Sequence, residues 1–321
     1  MSPAPRIAIA LPVYNGEAYI EGALEALRGQ TEIDWVAFVT DNASTDGTAE
    51  IVHRVAGDDP RIRYSRNETN LGANGNFNHS MALAVASGAP YVKWAAHDDV
   101  PHPTYLERVA ATLDTRPDAV GAHSAIHLVD DDGDPYPFAL EAGGFIASDT
   151  DVWRWTPDRA ASLGTLDPAR RLLCFLRSKL GEWMTYGVFR SEAVARTRPF
   201  AMPGVEDALC AELLLRGPML FLEDVLFDHR LHAGSARHLT KEEYVEYETG
   251  AEPSGRLPSA GRAFDFARAV ARAPLSAADR ARCAATLVRF ATGGAQLRNL
   301  FVPGRDNYFG LRHWPWAHPR G

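Results

Sequence analysis

Residues 36–48 read Val36-Ala37-Phe38-Val39-Thr40-Asp41-Asn42-Ala43-Ser44-Thr45-Asp46-Gly47-Thr48, and they carry the strongest structural signal in the chain. An apolar run ends in acidic, amide and hydroxyl side chains, after which Gly47 opens a segment of helical periodicity. This order is typical of a buried parallel strand that delivers polar groups to its carboxyl end, where α/β proteins bind ligands. Taken alone, the segment fits an ordinary turn and helix cap equally well.

The same strand-then-helix pattern occurs three more times in the first third of the chain. Apolar runs that end in polar residues lie at 7–13, 61–65 and 91–95. Helices are predicted to follow them at 17–27, 74–86 and 103–113. Together with residues 36–48, these units predict an open, mostly parallel sheet with right-handed crossovers. The polar clusters are therefore expected to meet at one edge of that sheet.

Several short motifs follow one another along the chain. They are Pro12-Val13-Tyr14-Asn15, the block from Asp41 to Thr48, Asn70-Leu71-Gly72, Asp98-Asp99, Gly204-Val205-Glu206-Asp207 and Arg230-Leu231-His232. In this order they resemble the successive motifs of family-2 glycosyltransferases. One departure is Ala96, which stands where a common version of the family's acidic motif, Asp-x-Asp-Asp, carries its first acid.

The resemblance implies a fold and a division of the chain. The fold is the GT-A type of α/β architecture, with an open, mostly parallel sheet flanked by helices and a helical C-terminal extension. The catalytic domain is expected at 1–237, and the linker and helical extension at 238–321.

The resemblance also assigns roles to single residues. The nucleotide-sugar site is expected at Pro12, Tyr14, Asn15, Asp41, Asn42, Ser44, Arg66, Asn70, Gly72, Asn76, His97 and Asp98. The acceptor pocket is expected at Trp183, Tyr186 and Gly187. Asp41 is expected to accept the imide N–H of uracil or thymine, because a carboxylate can only accept hydrogen bonds. Asp98 is expected to bind ribose or sugar hydroxyls.

The metal and the catalytic base follow from the same resemblance. Asp99 and His232 are expected to hold Mn²⁺ or Mg²⁺, and an imidazole ligand suits Mn²⁺ better. Asp207 is expected to remove the proton of the acceptor hydroxyl, with the neighbouring Glu206 as the second candidate. Both acids fall in the first turn of a helix predicted at 206–216, so helix capping is the alternative interpretation.

Composition limits the functional classes. The chain of 321 residues has a formal net charge of −8, which argues against nucleic acid or an anionic membrane as a partner. Cys174, Cys210 and Cys283 have no paired spacing, which fits a reducing compartment. No apolar run approaches 18 residues and no signal-peptide pattern precedes the first strand, so a cytoplasmic location is expected.

The rest of the chain gives weaker signals. We predict a strand at 119–129, a loop insertion at 139–166, a helix at 167–180, and strands at 184–190, 219–222 and 225–227. We predict a linker at 244–258 and helices at 261–273 and 277–292. The arginine-rich C-terminal part is interpreted as a solvated helical cap. A homodimer contact and a peripheral site for a lipid-linked acceptor at a membrane surface are the alternatives.

The predicted activity is transfer of a sugar from a nucleotide diphosphate sugar to an acceptor hydroxyl, with inversion. A UDP- or dTDP-sugar is the favoured donor, and a glycan, a lipid-linked molecule or a natural product is the acceptor. A catalytically silent glycan-binding scaffold of the same fold is the first alternative, because Ala96 thins the acidic motif. A nicotinamide-dependent oxidoreductase is disfavoured, since Tyr14-Asn15-Gly16-Glu17-Ala18 lacks the glycines that let a pyrophosphate approach the backbone.

Overall fold

The computed structural model describes residues 4–139, 144–148, 151–154, 161–178, 184–200, 206–232, 234, 241–250 and 258–292. The strands are β1 (Ile7–Val13), β2 (Trp35–Asp41), β3 (Ile62–Arg66), β4 (Tyr91–Trp94), β5 (Val100–Pro101), β6 (Gly121–Val129), β7 (Phe138–Ala139), β8 (Gly144–Ser148), β9 (Asp151–Arg154), β10 (Val188–Arg190) and β11 (Met219–Arg230). The helices are α1 (Ile20–Arg28), α2 (Thr48–Ala56), α3 (Gly72–Ala86), α4 (Tyr105–Asp114), α5 (Pro168–Ser178), α6 (Ser191–Val194), α7 (Glu206–Leu214), α8 (Lys241–Thr249), α9 (Pro258–Arg272) and α10 (Ala277–Thr292).

One large sheet organises the chain. Its strand order is β3-β2-β1-β4-β10-β6-β11-β5. The pairs β1–β2, β1–β4, β2–β3 and β6–β11 are parallel, whereas β10 runs antiparallel to both β4 and β6. The predicted mostly parallel α/β sheet is therefore confirmed. Because every residue of β1 and β2 is buried, both faces of the sheet centre are covered, as the continuous apolar runs indicate.

The helices cover the sheet with apolar stripes. In α1 the buried residues Ile20, Leu24 and Leu27 are spaced four and three apart, so they lie on one helical face. In α4 the buried residues Leu106, Val109 and Leu113 are spaced three and four apart and also lie on one face. Within the described ranges, no helix combines the length and apolar character that a membrane span requires.

Two predicted boundaries differ from the structure on the C-terminal side of the sheet. The strands predicted at 219–222 and 225–227 form the single strand β11, whose register against β6 shifts between Leu222 and Val225 and again between Val225 and Phe227. Such irregularities insert residues without ending a strand, which is why the sequence resembles two short strands. The strand predicted from residue 184 begins only at Val188.

Two segments predicted to be irregular contain regular structure. The predicted loop insertion at 139–166 holds most of a small antiparallel sheet of order β7-β8-β9. The predicted linker at 244–258 is wrong over 244–249, where the chain belongs to α8. The sequence Lys-Glu-Glu-Tyr-Val-Glu-Tyr-Glu-Thr has no apolar stripe, and the helix is instead held by packing against α3.

Candidate active site

The carboxyl ends of β1, β2 and β4 border one large cavity of about 840 Å³, which we call the site cavity. Its wall continues over the residues before β10, the start of α7, the residues after β11, and α8. The predicted site residues that line it are Pro12, Tyr14, Asn15, Asn42, Asn70, Asn76, His97, Asp98, Tyr186, Glu206 and His232. The strand ends thus converge as the parallel topology requires.

Asp41 ends β2 beneath the surface of the site cavity. Its side chain has no exposed area. Its Oδ1 accepts a hydrogen bond from Ser44 N at 2.7 Å, and its Oδ2 accepts one from Tyr64 Oη at 2.6 Å and one from Arg66 Nη1 at 2.8 Å. Burial alone would raise the pKa of Asp41, but these hydrogen bonds and the Arg66 charge lower it below its usual value. Asp41 therefore fixes the turn after β2, and its contact with a base stays a prediction.

A network of asparagines joins the end of β2 to the start of α3. Asn42 Oδ1 accepts hydrogen bonds from Leu71 N at 2.9 Å and Asn67 Nδ2 at 3.1 Å, while its Nδ2 donates to Asn70 Oδ1 at 2.8 Å. Asn76 Nδ2 donates to the Thr40 carbonyl at 2.7 Å. Because Asn42 is buried with its amide engaged on both sides, its first effect is to shape the cavity wall.

Asp98 and Asp99 point to different sides of the chain. Asp98 lines the site cavity, and its Oδ2 lies 3.0 Å from His232 Nε2. Asp99 is buried beneath, where its Oδ1 accepts a hydrogen bond from Arg230 N at 3.1 Å and lies 2.9 Å from His229 Nδ1. The predicted pairing of Asp99 with His232 is therefore not the arrangement in the structure, in which His232 meets Asp98.

The cavity-facing pair suits a divalent cation in part. Burial alone would raise the pKa of Asp98, but the hydrogen bond with His232 and the nearby His97 and His229 hold it below its usual value. Asp98 is thus an anionic oxygen ligand beside an imidazole nitrogen. Within the described part of the chain, no three His, Cys, Asp or Glu side chains converge as a complete metal site. An ion held by one or two protein groups usually takes substrate phosphates and water as its other ligands.

Arg230 is a site residue that the predictions missed. It lines the site cavity, and its Nη1 donates to the Asp130 and Asp131 carbonyls at 2.8 and 2.6 Å. Its guanidinium lies 5.6 Å from the centre of the Tyr19 ring. The Arg230-Leu231-His232 motif was the available signal, since it places Arg230 two residues before the predicted ligand His232. Helix α8 also contributes Glu243, Glu246 and Tyr247 to the wall, and nothing in its sequence indicated this.

The predicted acceptor side is only partly in the site cavity. Thr185, Tyr186 and Glu206 line the wall, and the neighbouring Asp207 is half-buried in the first turn of α7. Gly187 has a packing role, because a Cβ there would lie 2.6 Å from Met219 Cε and 2.8 Å from the Ala122 carbonyl oxygen. Trp183 lies outside the described residues.

The large sheet and its flanking helices are similar to the GT-A fold of glycosyltransferases. Residues 8–162 match the family described as glycosyl transferase family 2. This match confirms, over that part of the chain, the resemblance noted in the sequence.

Curated relatives agree with this family over short lengths. A putative glycosyltransferase, EpsE, of Bacillus subtilis (strain 168) is 29% identical over 115 residues, which are 36% of this chain and 40% of EpsE. A GalNAc(5)-diNAcBac-PP-undecaprenol beta-1,3-glucosyltransferase of Campylobacter jejuni is 32% identical over 96 residues, which are 30% of each chain. The chain therefore spans less than half the length of either relative.

Solved structures agree with the fold over most of the chain. The S. aureus TarS fragment 1-349, crystallised in complex with UDP, superposes with a TM-score of 0.59 at 17% identity, covering 92% of this chain and 75% of TarS 1-349. GalNAc-T7, solved with UDP, GalNAc and Mn²⁺, superposes with a TM-score of 0.51 at 11% identity, covering 72% of this chain and 45% of that one. At these identities the likeness concerns the fold alone.

Proposed function

We propose that this protein transfers a glycosyl group from a nucleotide diphosphate sugar to an acceptor hydroxyl, with inversion at the anomeric carbon. One observation carries the proposal: a single cavity joins the Asp98–His232 pair at the strand ends to Glu206 at the start of α7. A donor bound along the strand ends has its diphosphate near Asp98 and His232. The acceptor then enters from the side of Glu206.

The part of the site cavity around Asp98 and His232 is proposed to bind the diphosphate of the donor. Asp98 and His232 would hold Mn²⁺ or Mg²⁺, which neutralises the charge that builds on a departing diphosphate. Arg230 and His97 face the same space and add positive or polar contacts for the diphosphate and the sugar. Asp98 also remains available to sugar or ribose hydroxyls on its cavity side.

The base of the nucleotide is proposed to be a pyrimidine. TarS 1-349 was crystallised both with UDP and with UDP-GlcNAc, which supports a uridine nucleotide by analogy. Recognition of the imide N–H by Asp41 requires Tyr64 or Arg66 to release Oδ2 on binding, because both donate to that oxygen here. The dTDP-sugars share the same imide group and are equally compatible with this contact.

The acceptor half needs a base. Asp207 is proposed to remove the hydroxyl proton as the acceptor attacks the anomeric carbon from the face opposite the leaving diphosphate, an effect typically worth about 10²–10⁴ in rate. Glu206 is one residue away in the same helical turn and is the alternative base. The dipole of α7 favours the charged form of either acid, so the bound acceptor must exclude water for efficient proton transfer.

The test is a binding screen followed by a transfer assay. Thermal unfolding is measured with UDP-, dTDP-, GDP- and ADP-sugars, with and without Mn²⁺, because a bound donor stabilises the fold by mass action. We expect UDP- or dTDP-sugars to raise the melting temperature most, and more so with Mn²⁺. Release of nucleotide diphosphate from the preferred donor then separates an enzyme from a silent scaffold, which binds the donor without turnover.

A further inference from the structure

Lys93 is a fully buried lysine in the middle of β4, the strand that leads to Asp98 and Asp99. In the sheet it pairs with Ile9 of β1 on one side and Val188 of β10 on the other. A lysine at the centre of a sheet is costly to bury unless its Nζ has partners. Its surroundings therefore indicate what the side chain does.

The Nζ of Lys93 is aimed at the acceptor side of the site from below. It donates a hydrogen bond to the carbonyl oxygen of Tyr186, to which Tyr105 Oη also donates at 3.1 Å. It also lies 5.1 Å from the centre of the Tyr105 ring and 4.8 Å from that of Phe227. Tyr186 lines the site cavity, whereas Lys93 does not. Among the described residues, Lys93 thus reaches the cavity wall through the backbone of Tyr186.

Asp99 lies near the same amine. Lys93 and Asp99 both line a small void of about 10 Å³. Among the described residues Asp99 Oδ2 has no hydrogen-bond partner, and a void of this size is close to the room that one water needs. Burial lowers the pKa of Lys93 to about 7, and the charge of Asp99 opposes that shift.

We propose that Lys93 is a positioning residue, which is steadied by Asp99 and fixes the acceptor-side backbone at Tyr186 from beneath the sheet. The expected effect on catalysis rests on the function proposed above. The expected effect on the backbone at Tyr186 does not. The Tyr186 carbonyl belongs to a tight turn in which Gly187 N donates to the Met184 carbonyl at 3.0 Å. Loss of the Nζ anchor leaves that turn with the weaker, neutral Tyr105 contact.

The test compares Lys93→Met with Tyr105→Phe. Met keeps the apolar stem of lysine, is one atom shorter and lacks the donor. Phe removes the neutral donor to the same carbonyl, together with the contact of Tyr105 Oη with His123 Nδ1 at 3.3 Å. We expect Lys93→Met to speed amide exchange at 184–188 about tenfold or more, while exchange in β1 stays as in the wild type. Tyr105→Phe is expected to change exchange at 184–188 by about threefold or less.

The kinetic readout separates positioning from simple packing. In Lys93→Met we expect kcat/KM for the acceptor to fall about tenfold or more while donor affinity changes less than about threefold. A folded Lys93→Met protein with wild-type exchange at 184–188 overturns the inference. Should Lys93→Met not fold, Lys93→Gln, whose shorter amide cannot reach the carbonyl, is measured in the same way.

Failure of the proposed function is recognised separately. If the wild-type protein turns over no nucleotide sugar, the function proposal is wrong, and the exchange comparison still decides the role of Lys93. If the wild type is active and exchange at 184–188 is unchanged in the variant, only the positioning role is wrong.

Discussion

At the residue scale, the consecutive acids Asp98 and Asp99 belong to one motif but have different surroundings. The sequence gives them equal standing, yet Asp98 faces the site cavity with His232, and Asp99 lies beneath with Arg230 N and Lys93 nearby. Their contributions should therefore differ in kind. Asp98 acts on whatever binds in the cavity, and Asp99 acts on the structure that supports it.

Substitution of each acid by asparagine separates these contributions. Asp98→Asn should reduce the gain in UDP affinity that Mn²⁺ provides by about tenfold or more, because an amide is a much weaker ligand than a carboxylate. Asp99→Asn should keep most of that gain and instead lower the melting temperature, since the buried acceptor of the Arg230 amide is altered. Titration calorimetry with and without Mn²⁺ measures the gain in affinity, and thermal unfolding measures the melting temperature. Loss of the Mn²⁺-dependent gain in Asp99→Asn, with its retention in Asp98→Asn, would identify Asp99 as the metal ligand.

Asp207 is the residue whose role separates binding from chemistry. Asp207→Asn keeps the volume and can still cap α7, so the fold and the affinity for UDP should survive. An amide cannot take the acceptor proton, so turnover should fall roughly 10²-fold or more. Glu206→Gln is the matched control in the same helical turn. Near-normal turnover in Asp207→Asn, with loss in Glu206→Gln, would identify Glu206 as the base.

At the scale of elements, α8 completes the cavity wall although it lies outside the matched family region. It reaches the donor side through two glycines, Gly72 at φ 70° and Gly250 at φ 67°. A Cβ on Gly72 would lie 2.5 Å from Gly250 N and 2.5 Å from the Thr249 carbonyl carbon. Both are backbone atoms, so the Cβ would fit only if the backbone of α8 were displaced. The last turn of α8 is therefore docked directly onto the Asn70-Leu71-Gly72 motif.

The docking of α8 can be tested with a glycine substitution and a matched control. Gly72→Ala and Gly88→Ala each place a side chain at positive φ, which costs about 1–2 kcal/mol. At Gly88 the nearest atom, Ala4 Cβ, is 3.6 Å away, so no further displacement is needed. We expect Gly72→Ala alone to displace α8 and weaken UDP binding about tenfold. Equal UDP affinity in the two variants would show that α8 is not part of the donor site.

At the scale of the whole molecule, the local parts of the fold were predictable and the long-range parts were not. The units from β1 to α4 were predicted from apolar runs that end in polar residues, because buried strands and amphipathic helices have recognisable local sequence patterns. Helix α8 gives no such signal, since Lys241–Thr249 has no apolar stripe and depends on contact with α3. The divergence of Asp98 from Asp99 depends on β11, more than 100 residues away along the chain. Motif order therefore indicated which residues line the candidate site but could not orient their side chains.

The stability of the whole chain should depend on pH through Asp41. Its pKa is lowered in the folded protein, so the unfolded chain binds more protons in acid, and the stability contributed by Asp41 is complete above its unfolded pKa and is lost as the pH falls through the folded value. Asp41→Asn should lower the free energy of unfolding by about 1–3 kcal/mol at pH 7, through lost bonds to Tyr64 and Arg66.

That difference should shrink as the pH falls from 5 toward 3, because the wild-type carboxylate is then increasingly protonated on unfolding. Urea unfolding of both proteins at each pH measures it. The exposed Asp58→Asn is the control and should change the free energy of unfolding by less than about 0.5 kcal/mol throughout. A gap between wild type and Asp41→Asn that is the same at pH 7 and pH 3 would mean that Asp41 contributes through packing rather than through its charge.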